Sequence, residues 1–126
     1  MASFLIGPTQ RFLREMEQLR SLSDAHRRQI AEQVFAHIRP HLGTDDADDL
    51  RELRRRAQDQ RARLIYEGAR DFSDFRFAGA TLAEQWAVAK IESIGSCSPI
   101  TEILAERRSK AIEDFVRDNL PYEPHV

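Results

Sequence analysis

The chain of 126 residues predicts an all-α single domain: a compact bundle of about five helices with no sheet. Three observations carry that prediction. Apolar residues recur at intervals of three and four through five segments, which is the period of one helix face. Capping and breaking residues stand at the ends of those segments. The composition, 41% apolar and 32% charged with five glycines and five prolines, suits an ordered, helix-rich soluble protein rather than a disordered one. A chain this long buries roughly two thirds of the surface its unfolded form exposes, so its core needs no disulfide or metal to hold it.

The first helix is expected over 9–20. Pro8 suits a first helical turn, and Phe12, Leu13, Met16 and Leu19 repeat on one face. Ahead of it, residues 1–7 (MASFLIG) carry Phe4, Leu5 and Ile6 with no basic region before them and no long apolar core, unlike a signal peptide or a membrane anchor. They read as a short apolar arm lying on the chain's own core or on a second subunit. Ser21 to Asp24 break the pattern, and Ser23 or Asp24 can cap a second helix over 24–39. Its inner stripe is Ile30, Ala31, Val34, Phe35 and Ile38, and Pro40 ends it.

A third and longest helix is expected over 45–72. Asp45, Asp46, Asp48 and Asp49 cluster at its start, where free N–H groups and the positive dipole end favour negative charge. The same run lacks the spaced ligands, central glycine and closing glutamate of a calcium loop. Leu50, Leu53, Ala57, Gln60 and Leu64 form a narrow seam with heptad spacing, surrounded by arginines that include Arg54 and Arg61. Such a seam fits one partner helix: the first or second helix of the same chain, or the same helix of another copy. Beyond Leu64 the apolar positions rotate to Ile65, Ala69 and Phe72, as though the helix passes to a second neighbour. The link that follows holds Phe72, Phe75 and Phe77 and ends at Gly79. Its interleaved arginines suggest base stacking, but Asp71 and Asp74 argue for rings that fill a crevice between helices.

The fourth helix, over 82–94, carries apolar side chains on most of its circumference and leaves a strip of Glu84, Gln85 and Glu92 for water. Thr81 and Glu84 have the spacing of a capping box, and Gly95 closes the helix. Lys90 falls beside Trp86 within the apolar arc, so its ammonium must snorkel outward or meet a carboxylate. Ser98 and Pro99 begin a fifth helix over 99–119, with Ile100, Ile103, Leu104, Ala111, Ile112 and Phe115 as its inner face. Arg107 and Arg108 fall inside that face and either snorkel or pair with carboxylates such as Glu84 or Asp71. Residues 120–126 form a short tail.

Function is constrained mainly by exclusion. The net charge of −2 provides no global field toward nucleic acid or an anionic membrane. The single cysteine allows neither an internal disulfide nor a four-cysteine zinc site and favours a reducing compartment, the cytoplasm by default. His37 and His41 have the i, i+4 spacing of a metal pair, with His26 on the same edge of the helix as His37. Pro40 interrupts the helix, however, and no further ligand has motif spacing, so neither metal nor cofactor is expected. Cys97 stands just before a helix N-terminus, which makes it a reactive-thiol candidate, yet no cysteine-enzyme signature surrounds it. A small enzyme built around Cys97 is one alternative reading.

A helix-turn-helix made of the fourth and fifth helices is the other, with IGSCSPIT as its turn and Ser98, Thr101, Glu102 and Arg108 toward DNA. From Ala80 onward, however, five basic residues (Lys90, Arg107, Arg108, Lys110, Arg117) face eight acidic ones (Glu84, Glu92, Glu102, Glu106, Glu113, Asp114, Asp118, Glu123), a poor footprint for phosphate. The leading reading is a non-enzymatic protein–protein interaction module, a regulator, inhibitor or small subunit. It would bind a protein partner or a second copy through the third-helix seam.

Overall fold

Asp74 starts the helix around which the others pack. Its carboxylate accepts the backbone N–H groups of Arg76 and Phe77, which satisfies two of the free donors at a helix start. The computed structural model describes residues 8–121; the apolar arm at 1–7 and the tail beyond residue 121 lie outside the described residues. The elements are α1 (Pro8–Arg20), α2 (Asp24–Ile38), a 3₁₀ turn (Arg39–His41), α3 (Ala47–Tyr66), α4 (Phe75–Gly95) and α5 (Pro99–Asn119). No strand occurs among the described residues, and none of their helices is long and apolar enough to cross a membrane.

Three caps fall where the residues predict them. Ser23 accepts from the His26 N–H, Asp46 from the Asp48 N–H, and Ser98 from the Thr101 N–H with Pro99 in the first turn of α5. The region between α3 and α4 departs from expectation at both ends. α3 ends at Tyr66 instead of reaching Phe72, because Gly68 takes a φ of +111° and turns the chain. The Gly68 N–H bonds to the Ile65 carbonyl and the Ala69 N–H to the Leu64 carbonyl, the nested pair that closes a helix through a left-handed residue. Ile65 is consequently left exposed rather than turned toward a second helix.

α4 begins seven residues before the expected 82, and Thr81 caps nothing. Its hydroxyl donates back to the Phe77 carbonyl at 2.8 Å inside the helix. Phe75 and Phe77 therefore belong to the first turn of α4 rather than to a link. Phe72 and Phe77 are buried edge to face with centroids 6.4 Å apart. The segment from Asp71 is pinned to α2 by a 2.8 Å hydrogen bond between His26 Nε2 and the Phe72 carbonyl.

α4 is the axis of the bundle. Residues 77 to 87 are all buried, because α3, α2 and α5 pack against this helix and α1 lies over its polar side. Gly79 brings α2 close: a Cβ built there would stand 2.4 Å from Gln33 Cβ, next to the α2 backbone. Gly79→Ala is therefore expected to lower stability in urea titrations, since overpacking at about 1–3 kcal/mol outweighs the gain of about 1 kcal/mol from alanine's helix propensity.

Candidate functional site

The buried charges gather between α1, α3 and α4. On α1, Glu15 shares the arc of Phe12, Met16 and Leu19, so docking the apolar face of α1 also buries its carboxylate. There it accepts a hydrogen bond from the Gln85 amide of α4, with Arg11 alongside at 3.4 Å. One step along α4, Glu84 accepts from Gln58 at 2.9 Å and from Arg61 at 3.3 Å, both on α3. The Arg61 guanidinium also lies 5.6 Å from the centre of the Phe77 ring, and its buried Nε has no hydrogen-bond partner among the described residues. Glu84 and Gln85, expected to face water, are thus an internal polar seam under α1. The signal for it was Glu15 inside an apolar arc opposite the polar strip of α4.

This seam fastens helices, and its titration follows from burial. Burial pushes the Glu15 carboxyl above its ordinary value against the opposing pull of Arg11 and Arg61, with Glu84 adding to the rise. A raised folded-state pKa means that its stabilising contribution is complete below the unfolded value and is lost as pH rises through the folded one. Glu15→Gln keeps an acceptor for Gln85 and removes the ionisation. The variant is expected to melt at or above the wild-type temperature at neutral pH, with the gap closing as pH falls below the ordinary carboxyl range, where the parent carboxyl is protonated in the folded and the unfolded chain alike.

The predicted interaction residues divide. Leu50, Leu53, Ala57 and Leu64 are buried, Gln60 is half-buried, and the seam they form faces α4 of the same chain rather than the first or second helix. That seam is therefore filled in cis. Arg61 belongs to the polar seam, and Arg54 is exposed. The remaining arginines on the outer face of α3 are largely neutralised along the helix: Arg51 by Asp48, Arg55 by Glu52 and Asp59, and Arg56 by Glu52. Hydrogen bonds from Arg55 and Arg56 hold the Glu52 carboxyl below its usual range.

The three buried-charge candidates have three different fates. Arg108 alone is buried, and it bonds Glu92 of α4 rather than Glu84 or Asp71, with Thr9 of α1 at 3.5 Å. Arg107 is exposed, contrary to its expected place inside the face. Lys90 is half-buried with its ammonium 5.7 Å from the centre of the Trp86 ring, so its stem snorkels and its charge rests on the aromatic face. Of the four residues expected toward DNA, Ser98 caps α5 and Arg108 is buried.

Cys97 is free and exposed. Two histidines are tied up elsewhere: His26 on the Phe72 carbonyl, and buried His41 on Asp49 of α3 through Nδ1 at 2.8 Å. Half-buried His37 is held below its ordinary pKa by desolvation. Among the described residues no group of three histidine, cysteine or acidic side chains is placed to hold a metal ion.

The feature that periodicity misplaced is the tip where α4 turns into α5. Ile100, Ile103 and Leu104 are 70%, 48% and 38% exposed instead of inner, and Ile94 in the last turn of α4 is 44% exposed. All six residues from Pro99 to Leu104 are exposed, so the first turns of α5 project beyond the packed body. The face that does pack comprises Ala105, Arg108, Ser109, Ile112, Phe115 and Val116, centred about 130° around the helix from the aliphatic stripe. Small side chains at 105 and 109 let α5 approach α4 closely. The run Ala105, Ser109, Ile112 and Val116 was the sequence signal for this face, hidden by larger aliphatics beside it. A stripe of large aliphatics left in water on a projecting tip suits contact with another protein surface. Compared with protein-family models, curated proteins and solved structures, the chain matches none, so its functional reading rests on its own residues.

Proposed function

We propose that this protein is a non-enzymatic helical interaction module, a regulator, inhibitor or small subunit, and that it engages a protein partner through the α4–α5 tip. The observation that carries this reading is the stripe of Ile100, Ile103 and Leu104, exposed on a tip that also leaves Ile94 in water. The α3 seam is already occupied by α4, which moves the proposed contact from α3 to the tip. Exposed Arg54 lies outside the tip surface. The one free cysteine fits a reducing compartment, and the cytoplasm is the location we propose.

The test uses the full chain as bait in extract of its native cell, with captured proteins identified by mass spectrometry. The wild type and a control, Ile65→Glu at the far end of α3, are expected to capture the same protein, while Ile100→Glu loses it. Both positions are exposed, so both variants keep the fold. Equal capture by all three baits would remove the tip from the reading.

A further inference from the structure

α1 begins beside the exposed stripe. Thr9, in its first turn, lies 3.5 Å from the Arg108 guanidinium of α5, and further along Met16 and Leu19 share a surface cleft with Phe115. The step from Thr9 to Met16 equals the step from Arg108 to Phe115, so α1 and α5 run side by side in the same direction. The axis of α1, continued backward past Pro8, therefore points toward Leu104 and Ile100, which precede Arg108 by one and two turns. Around α5, Leu104 stands about 40° from Arg108 and Ile100 about 40° further. Ile103 falls about 140° from Arg108, on the side away from α1.

We propose that Phe4, Leu5 and Ile6 of the leading segment cover Leu104 and Ile100 of their own chain, and that this arm shields the α1 side of the tip until a partner displaces it. The shielding rests on the reading of the tip as an interaction surface; the placement of the arm does not. The three residues are consecutive and apolar, and residues 1–7 carry no charged side chain that docking would bury. Reach suffices: at up to about 3.4 Å per residue Ile6 extends about 10 Å from Thr9 and Phe4 about 17 Å, against about 6 Å along α5 from Arg108 to Leu104 and about 12 Å to Ile100. Pro8 disfavours helix in the residue before it, which favours an extended arm. So short a tether gives an effective concentration in the millimolar range, and the arm of the same chain therefore outcompetes that of another copy.

Nuclear Overhauser contacts in the full chain test the placement. Methyl contacts from Leu5 or Ile6 to Leu104 and Ile100 are expected within one chain and unchanged on dilution. Leu104→Glu is expected to abolish them, and Ile103→Glu, on the far side, to keep them. Leu5→Glu changes no described residue, and it is expected to remove the contacts of Phe4 and Ile6 while the fold signals stay in place. A wild type without these contacts, or with contacts only between differently labelled chains in a mixed sample, would overturn the placement. For the shielding, Leu5→Glu is expected to capture more than about twofold as much partner as the wild type, the gain that follows when the arm occupies the site in most molecules. Contacts present with capture unchanged by Leu5→Glu would overturn the shielding alone. Contacts present with capture insensitive to Ile100→Glu would instead remove the interaction reading, and the shielding with it, leaving the arm in place.

Discussion

Replacing Trp86 with alanine is expected to cost about 3–5 kcal/mol, a large share of the 5–15 kcal/mol that typically separates a folded domain from its unfolded chain. The indole is fully buried on α4, the helix every layer shares, so the cavity has no mobile surface segment to collapse into it. Two further interactions go with the ring. Nε1–H donates to Glu113 on α5 at 2.8 Å, and the Lys90 ammonium rests on the ring face. Trp86→Phe separates these contributions from volume. It keeps an aromatic core but leaves Glu113 without its donor, and a loss of about 1–3 kcal/mol is expected from the smaller ring together with the missing bond. Urea titration followed by far-UV circular dichroism measures both variants, since each lacks the only tryptophan. A phenylalanine variant as stable as the wild type would show that the bond to Glu113 contributes nothing.

Cutting the Arg108–Glu92 pair from one side is the second large effect. Arg108 is 5% exposed, so Glu92→Ala strands a guanidinium inside the fold at an expected cost of about 2–4 kcal/mol, the lower part of the range reflecting the partial exposure of Glu92. Arg108 also touches Thr9, and the loss should therefore loosen the start of α1. Replacing both partners with apolar residues, Arg108→Met with Glu92→Leu, is expected to return stability to the wild-type level or above, because neither charge then has to be desolvated. The four proteins of this double-mutant cycle, compared by urea titration, should be strongly non-additive. Simple additivity would mean that the pair does not act as a unit.

The residues by themselves determined how many helices form and where most of them start and stop. Caps and breakers are local: Ser23, Asp46 and Ser98 bond the N–H groups within three residues, and Pro40 and Pro99 act on their own backbone. The stripe from Ile30 to Ile38 was legible for the same reason, since one neighbour layer covers one apolar face. Where two local signals competed, the sequence was ambiguous. The Thr81–Glu84 spacing imitates a helix start that Asp74 actually provides, and the apolar period runs straight through Gly68, whose positive φ ends α3.

Tertiary structure alone decided which faces are inside. An amphipathic pattern reports how apolar a face is, but coverage depends on how many helices surround it and how closely they approach. α4 is covered on every side, so even Glu84 and Gln85 are interior once α1 brings Glu15 to them. α5 needs a near approach to α4, which Ala105 and Ser109 permit and isoleucines would not, so Ile100, Ile103 and Leu104 are turned into water. The same closeness of packing that buries polar groups around α4 leaves apolar ones uncovered at its end, where the proposed interaction surface lies.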